Sequence, residues 1–169
     1  MTVGETATAS LAAALADGRM GDAALILGRP FAICGEVVHG RKLGRTIGYP
    51  TANIQLDPLL APRFGVYATR TRLPDGRELP GVANVGINPT VEIVSPRLEV
   101  WLFDFDEDLY GLTLKTDLIA FLRPEAKFAS LELMIEQIGR DVEQARALLI
   151  SPECPPHAAR PSADGVPDR

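Results

Sequence analysis

At 169 residues with 46% hydrophobic content, the chain is long enough for one well-buried core and too short for two ordinary domains joined by a linker. Its formal net charge of -5 argues against nucleic acid as a general partner, since non-specific binding needs a surplus of Lys and Arg on one face. Two cysteines, Cys34 and Cys154, give no support to a disulfide framework or thiolate cluster, and no apolar run of membrane-spanning length or secretory leader pattern occurs, so the expectation is a soluble cytoplasmic protein that does not engage membranes, its oligomeric state left open by the sequence.

In chain order, residues 1–9 lack periodicity and are expected to be unstructured. A short helix is predicted from Ser10, as its cap, to Gly18, and a second from Asp22 to Gly28, so that 1–28 reads as a helical lead-in. From Phe31 the pattern changes to short β-rich runs at 31–39, 51–56, 65–73, 79–87, 97–105 and 113–122. Their regular spacing predicts a mainly β fold, with six antiparallel strands closed into a small barrel rather than a parallel α/β sheet.

Between the first two runs lies the most distinctive stretch, Gly44-Arg45-Thr46-Ile47-Gly48-Tyr49-Pro50-Thr51-Ala52-Asn53. Gly40, Gly44 and Gly48 can adopt backbone angles closed to other residues, which would let amides turn toward an anion, while Arg41, Lys42 and Arg45 supply positive charge. Pro50 stiffens the exit. Thr51 and Asn53, two apart on a strand, would present their oxygens on one side, within reach of one divalent cation. The competing reading is an ordinary Gly/Pro turn. The Gly-Lys-Ser/Thr ending of a Walker A loop is absent. His39, beside Gly40, reads as structural or as the edge of a phosphate site.

Leu73-Pro74-Asp75-Gly76-Arg77 predicts a hairpin turn. On the next strand, alternation sets Leu98, Val100 and Leu102 on one face and Glu99, Trp101 and Phe103 on the other. A carboxylate in apolar company needs a partner or a task. Glu99 is either ion-paired with Arg97 or Arg123, or a general base facing a cavity opposite the basic turn; a carboxylate on the outside of the barrel, or remote from Thr51 and Asn53, would end the case for the second. After Ser130, Leu131, Ile135, Ile138, Val142, Ala145 and Leu149 form one apolar helical stripe, read as a packing face that covers the barrel, with Glu132, Glu136, Arg140, Glu143 and Arg146 opposite. Residues 151–169 hold five prolines and no apolar period, and are expected to be a disordered tail. The main domain is therefore expected over 29–150.

Three segments together resemble the riboflavin kinase family: the Gly-Arg-x-x-Gly-x-Pro-Thr-Ala-Asn run ending at Asn53; Leu98-Glu99-Val100 followed by the acidic 104–108 turn and Tyr110-Gly111; and Leu122-Arg123-Pro124-Glu125 followed by Phe128. The resemblance runs from Leu27 to Leu149. It implies transfer of the ATP γ-phosphoryl group to the riboflavin 5′-hydroxyl, giving FMN and ADP, with Glu99 as catalytic base. ATP would meet Gly40, Arg45, Gly48 and Tyr110, flavin would meet Arg123, Ala126 and Phe128, and Thr51 and Asn53 would hold Mg²⁺ or another divalent cation such as Zn²⁺. Without the family, Arg123 would read as a surface or ion-paired residue. Trp101 stands where many relatives have His, Glu107 replaces a common glycine, and the connection from Thr90 to Arg97 looks short. In bacteria this module commonly follows an adenylyltransferase module, and residues 6–30 look like the seam between the two. The His-x-Gly-His motif of that partner has no counterpart, so FAD synthesis is not expected. Two alternatives stand beside this reading: a non-catalytic flavin or nucleotide-binding barrel, and an oligonucleotide-binding barrel, the latter disfavoured by acidic charge and few aromatics.

Overall fold

The computed structural model describes residues 3–40, 43–59, 61–87 and 95–150. Two helices, α1 (Val3–Asp17) and α2 (Met20–Leu27), precede strand β1 (Phe31–Val38). A short turn of helix, α3 (Leu43–Thr46), leads to β2 (Ala52–Gln55), then β3 (Gly65–Arg72), β4 (Glu78–Ile87), β5 (Pro96–Leu102) and β6 (Thr113–Arg123). The last element is α4 (Leu131–Ile150). All strand pairs are antiparallel, and the sheet closes in the order β1-β2-β5-β4-β3-β6. The expected closed six-stranded antiparallel barrel with helices at both ends is therefore the observed architecture.

The inward residues are apolar and close-packed: Ile54, Tyr67, Val85, Leu98, Val100, Leu114 and Leu118 are each at most 1% exposed. A six-stranded barrel of this kind is filled along its middle by its own side chains. Burial pushes the Tyr67 phenol well above its usual range, and its hydroxyl donates to the Arg63 carbonyl. At the β3–β4 hairpin, Gly76 takes a φ of 92°, Leu73 N–H donates to the Arg77 carbonyl at 2.8 Å and Arg77 N–H to Asp75 Oδ1 at 2.9 Å, as the Pro-Asp-Gly signal requires. A second apolar cluster lies outside the barrel, where Ala145 and Leu149 of α4 bury Ala68, Val82 and Phe103.

Three expectations are corrected. Helix α1 begins at Val3, so 3–9 is helical and Ser10 sits inside the helix rather than capping it. The described side chains of 4–10 are all exposed, and an exposed helical extension of Ala, Thr and Glu needs no apolar period. Strand β5 stops at Leu102 rather than at residue 105, because Asp104 turns the chain with a left-handed φ of 55°. Arg146, assigned to the solvent face of α4, instead lays its guanidinium 4.3 Å from the Phe103 ring. The 151–169 tail and Cys154 lie outside the described residues, as do Arg41, Lys42 and most of the Thr90 to Arg97 connection. Cys34 is a free, exposed thiol.

Candidate active site

Barrel register builds the site. Asn53 on β2 and Asn84 on β4 are both Cα partners of Glu99 on β5; Asn84 in turn pairs with Val66, and Val66 with Arg123 on β6. Directly opposed residues of neighbouring strands point to the same face. Asn53, Glu99, Asn84, Val66 and Arg123 thus form one row around the barrel's outer wall. Glu99 is on the outside of the barrel, contrary to expectation, because its neighbours Leu98 and Val100 fill the interior. That ends the case for a base pointing into the barrel; Glu99 instead opposes Asn53 directly and shares a cavity on the outer wall with Thr51. That cavity lies between the outer wall and α4.

It has a volume of about 350 Å³ and brings together Gly44, Tyr49, Thr51, Glu99, Arg123, Glu125, Ala126 and Phe128, with Met134 and Ile138 of α4 as its lid side. Most of this lining is apolar, with a few polar groups converging, which suits a flat organic ligand of modest size. A second cavity of about 360 Å³ is lined by Arg45, Pro50, Thr51, Phe105, Glu107 and Tyr110 among others. Thr51 belongs to both and forms part of the wall between them.

The structure therefore brings Thr51, Glu99, Arg123, Ala126 and Phe128 to one cavity and Arg45, Thr51 and Tyr110 to the other. Gly40, Gly48 and Asn53 line neither. Gly40 covers Asn53 so closely that a β-carbon there would overlap the Asn53 carboxamide. Of the three loop glycines only Gly48, with φ 85°, has the left-handed backbone expected; Gly40 and Gly44 serve close approach instead. Nor does the loop aim all its amides outward, because Ile47 and Tyr49 N–H groups donate to the Gly44 carbonyl at 3.2 and 2.8 Å. Thr51 sits just before β2 rather than on it.

Asn53 is 5% exposed, and its Oδ1 has no hydrogen-bond partner among the described residues, while Nδ2 donates to the Thr51 carbonyl at 3.4 Å. A buried carbonyl oxygen without a donor is costly, and a hard cation would satisfy it. The Thr51 and Asn53 donors are oxygens, and no cluster of three His, Cys, Asp or Glu residues exists among the described residues. The oxygen chemistry of the two residues fits a hard divalent cation.

Arg123 is held by Asp141 of α4, with Nε 2.9 and 3.0 Å from the two carboxylate oxygens and Nη2 2.8 Å from Oδ2. Gln137 Nε2 donates to the same carboxylate at 3.0 Å, and the Arg123 guanidinium lies 5.7 Å from the Phe128 ring centre. The ion-pair reading of Arg123 is thus correct, with Asp141 as partner, and the pair fixes Arg123 at the cavity edge. Asp141, Asn84 and Glu125 were missed by sequence reasoning. A signal existed for the first: Asp141 falls inside the apolar stripe, three after Ile138 and four before Ala145. Asn84 stands in the apolar run Gly81 to Val85, and donates from Nδ2 to Glu125 Oε1 at 3.1 Å. His39 lies against Tyr110, ring centres 4.0 Å apart and the planes tilted by 33°.

The chain is similar to known proteins over most of its length. The family model described as Flavokinase, riboflavin kinase, matches residues 27–149. The bifunctional riboflavin kinase/FMN adenylyltransferase of Haemophilus influenzae is 45% identical over 138 residues, covering 82% of this chain and 45% of that protein. Among solved structures, the riboflavin kinase of Trypanosoma brucei superposes with a TM-score of 0.56 at 29% identity, over 74% of this chain and 80% of that one. A Streptococcus pneumoniae structure described as a macrolide-efflux protein superposes with a TM-score of 0.74 at 37% identity, over 80% of this chain and 45% of that one. The chain spans less than half the length of the curated bifunctional relative. No helix among the described residues is long and apolar enough to cross a membrane.

Proposed function

The chain belongs to the riboflavin kinase family, and from that premise we propose that it transfers the γ-phosphoryl group of ATP to the 5′-hydroxyl of riboflavin. The observation that carries the reading is the shared wall at Thr51, with Glu99, Arg123, Ala126 and Phe128 on one side and Arg45 and Tyr110 on the other. Flavin would occupy the cavity under α4, its ring system against Phe128 and the clamped Arg123, and its ribityl chain toward Glu99. The triphosphate would run from the second cavity toward Thr51, past Arg45 and Tyr110, with Gly40 and Gly48 shaping the loop. Glu99 accepts the ribityl O5′ proton as O5′ bonds to the γ-phosphorus; the bond from that phosphorus to the bridging β-γ oxygen breaks, and ADP leaves with the electron pair.

Thr51 and Asn53 would hold the divalent cation, which when bound neutralises charge on the phosphates. The protein's own contribution is alignment and exclusion of water, the larger part of catalysis in phosphoryl transfer. Trp101 and Glu107, which motivated a non-catalytic alternative, have structural partners and leave Glu99 in place. The catalytic unit is taken as 29–150, in the cytoplasm. FAD formation is not part of the proposal, since His39 and His157 are the only histidines in the chain. Incubation with riboflavin, ATP and Mg²⁺ is expected to yield FMN and ADP by chromatography and no FAD; folded protein that makes no FMN would overturn the reading.

A further inference from the structure

Trp101 is the single tryptophan of the chain, two residues beyond Glu99 on the same outer face of β5, and it walls the cavity under α4. Its ring meets Tyr49 edge-on at 4.9 Å and Phe103 at 5.2 Å. Phe103 lies beneath the Arg146 guanidinium, whose Nη1 and Nη2 reach Asp104 at 3.1 and 3.2 Å. An unbroken line of contacts therefore runs from the basic loop, across the barrel wall, to α4.

Tyr49 belongs to a segment that faces both cavities: Tyr49 lines the first, Pro50 the second, and Thr51 both. That segment is stiff. Pro50 fixes one backbone angle, Tyr49 N–H is bonded back to the Gly44 carbonyl, and a side chain at Gly44 would collide with the Tyr49 carbonyl. A push at Arg45 or Thr51 is thus passed to Tyr49 rather than absorbed between them, and the ring that receives it is Trp101.

We propose that Trp101 is a positioning residue which, by holding Tyr49, sets where the 44–51 segment presents Thr51, so that nucleotide arriving in the second cavity is registered on the wall of the first. This rests on the kinase reading above. An aromatic edge-to-face pair of this kind accounts for about three- to tenfold in an equilibrium constant. By reciprocity, a contact that shifts when nucleotide binds must also tune nucleotide affinity.

The test is a titration of the unmodified protein with Mg·ADP, without flavin, following tryptophan emission and calorimetric heat in parallel. Emission is expected to change saturably with the calorimetric midpoint. Tyr49→Ala should abolish the emission change and weaken Mg·ADP by about three- to tenfold, whereas Tyr49→Phe should retain both. Heat without an emission change, or wild-type affinity in folded Tyr49→Ala, overturns the proposal alone. Absence of both heat and emission change overturns it together with the kinase reading.

Discussion

Asp141 and Glu99 are both carboxylates on the wall of one cavity, yet their surroundings give them different work. Asp141 is 2% exposed and accepts from Arg123 and Gln137, so its charge is consumed in joining α4 to β6. Removing it strands Arg123. Asp141→Ala should lower stability by about 2–4 kcal/mol in urea denaturation, below the figure for a fully buried pair because the Arg123 side chain keeps 21% exposure. Glu99 sits among Asn53, Asn84 and Thr51, where a proton acceptor is useful. Glu99→Gln is expected to lower kcat about 10²- to 10⁴-fold while leaving Mg·ADP affinity unchanged by calorimetry. Asn53→Ala should weaken Mg·ADP itself. Equal losses of nucleotide affinity in both variants would contradict the division of roles.

Among the elements, the 104–108 turn shows how a departure from the family pattern is absorbed. Arg77, at the β3–β4 hairpin, grips both oxygens of Glu107 at 2.6 and 2.8 Å, is itself bonded to Asp75 at 2.7 Å, and lies 5.6 Å from the Phe105 ring. The turn that lines the second cavity is thus clamped to the hairpin. Hydrogen bonds from Arg77 hold the Glu107 carboxyl below the usual carboxylate range, so the clamp contributes fully above that range and is lost as pH falls through the lowered value. Being exposed, it is also weakened by salt. Amide hydrogen exchange over 103–110 should accelerate in Glu107→Gln and at high salt, with the barrel strands unchanged; identical exchange in wild type and variant would show that the clamp does not order the turn.

For the whole molecule the decisive division is between a packed interior and a working exterior. Leu98 and Glu99 are adjacent in sequence and face opposite sides of β5. Leu98→Ala should cost about 2–5 kcal/mol of stability with the folded fraction still active, the reverse of Glu99→Gln. If both substitutions acted alike in thermal melts and turnover, the assignment of faces would be wrong. The second apolar cluster explains why α4 must dock: Leu149 and Ala145 cover Phe103, and only with the helix seated there do Met134 and Ile138 close the cavity.

Much of this was legible in the residues. The six strand runs, the Pro-Asp-Gly hairpin and the apolar stripe of α4 follow from local periodicity and turn chemistry, which neighbours a few positions away largely decide. Thr51 and Asn53 could be read as a pair of oxygen donors and Glu99 as a carboxylate in apolar company, whereas Arg123 drew attention only through the family resemblance. What alternation cannot supply is its own sign: a period of two says that Leu98 and Glu99 are opposed, not which of them is inside. That choice, and with it the position of Glu99 on the outer wall, was made by the closing of β1 on β6 and the seating of α4. The same long-range contacts paired Arg123 with Asp141, set Trp101 edge-on against Tyr49 and made Thr51 part of a wall between two cavities, because side chains far apart in sequence meet only when the register of every strand is fixed at once.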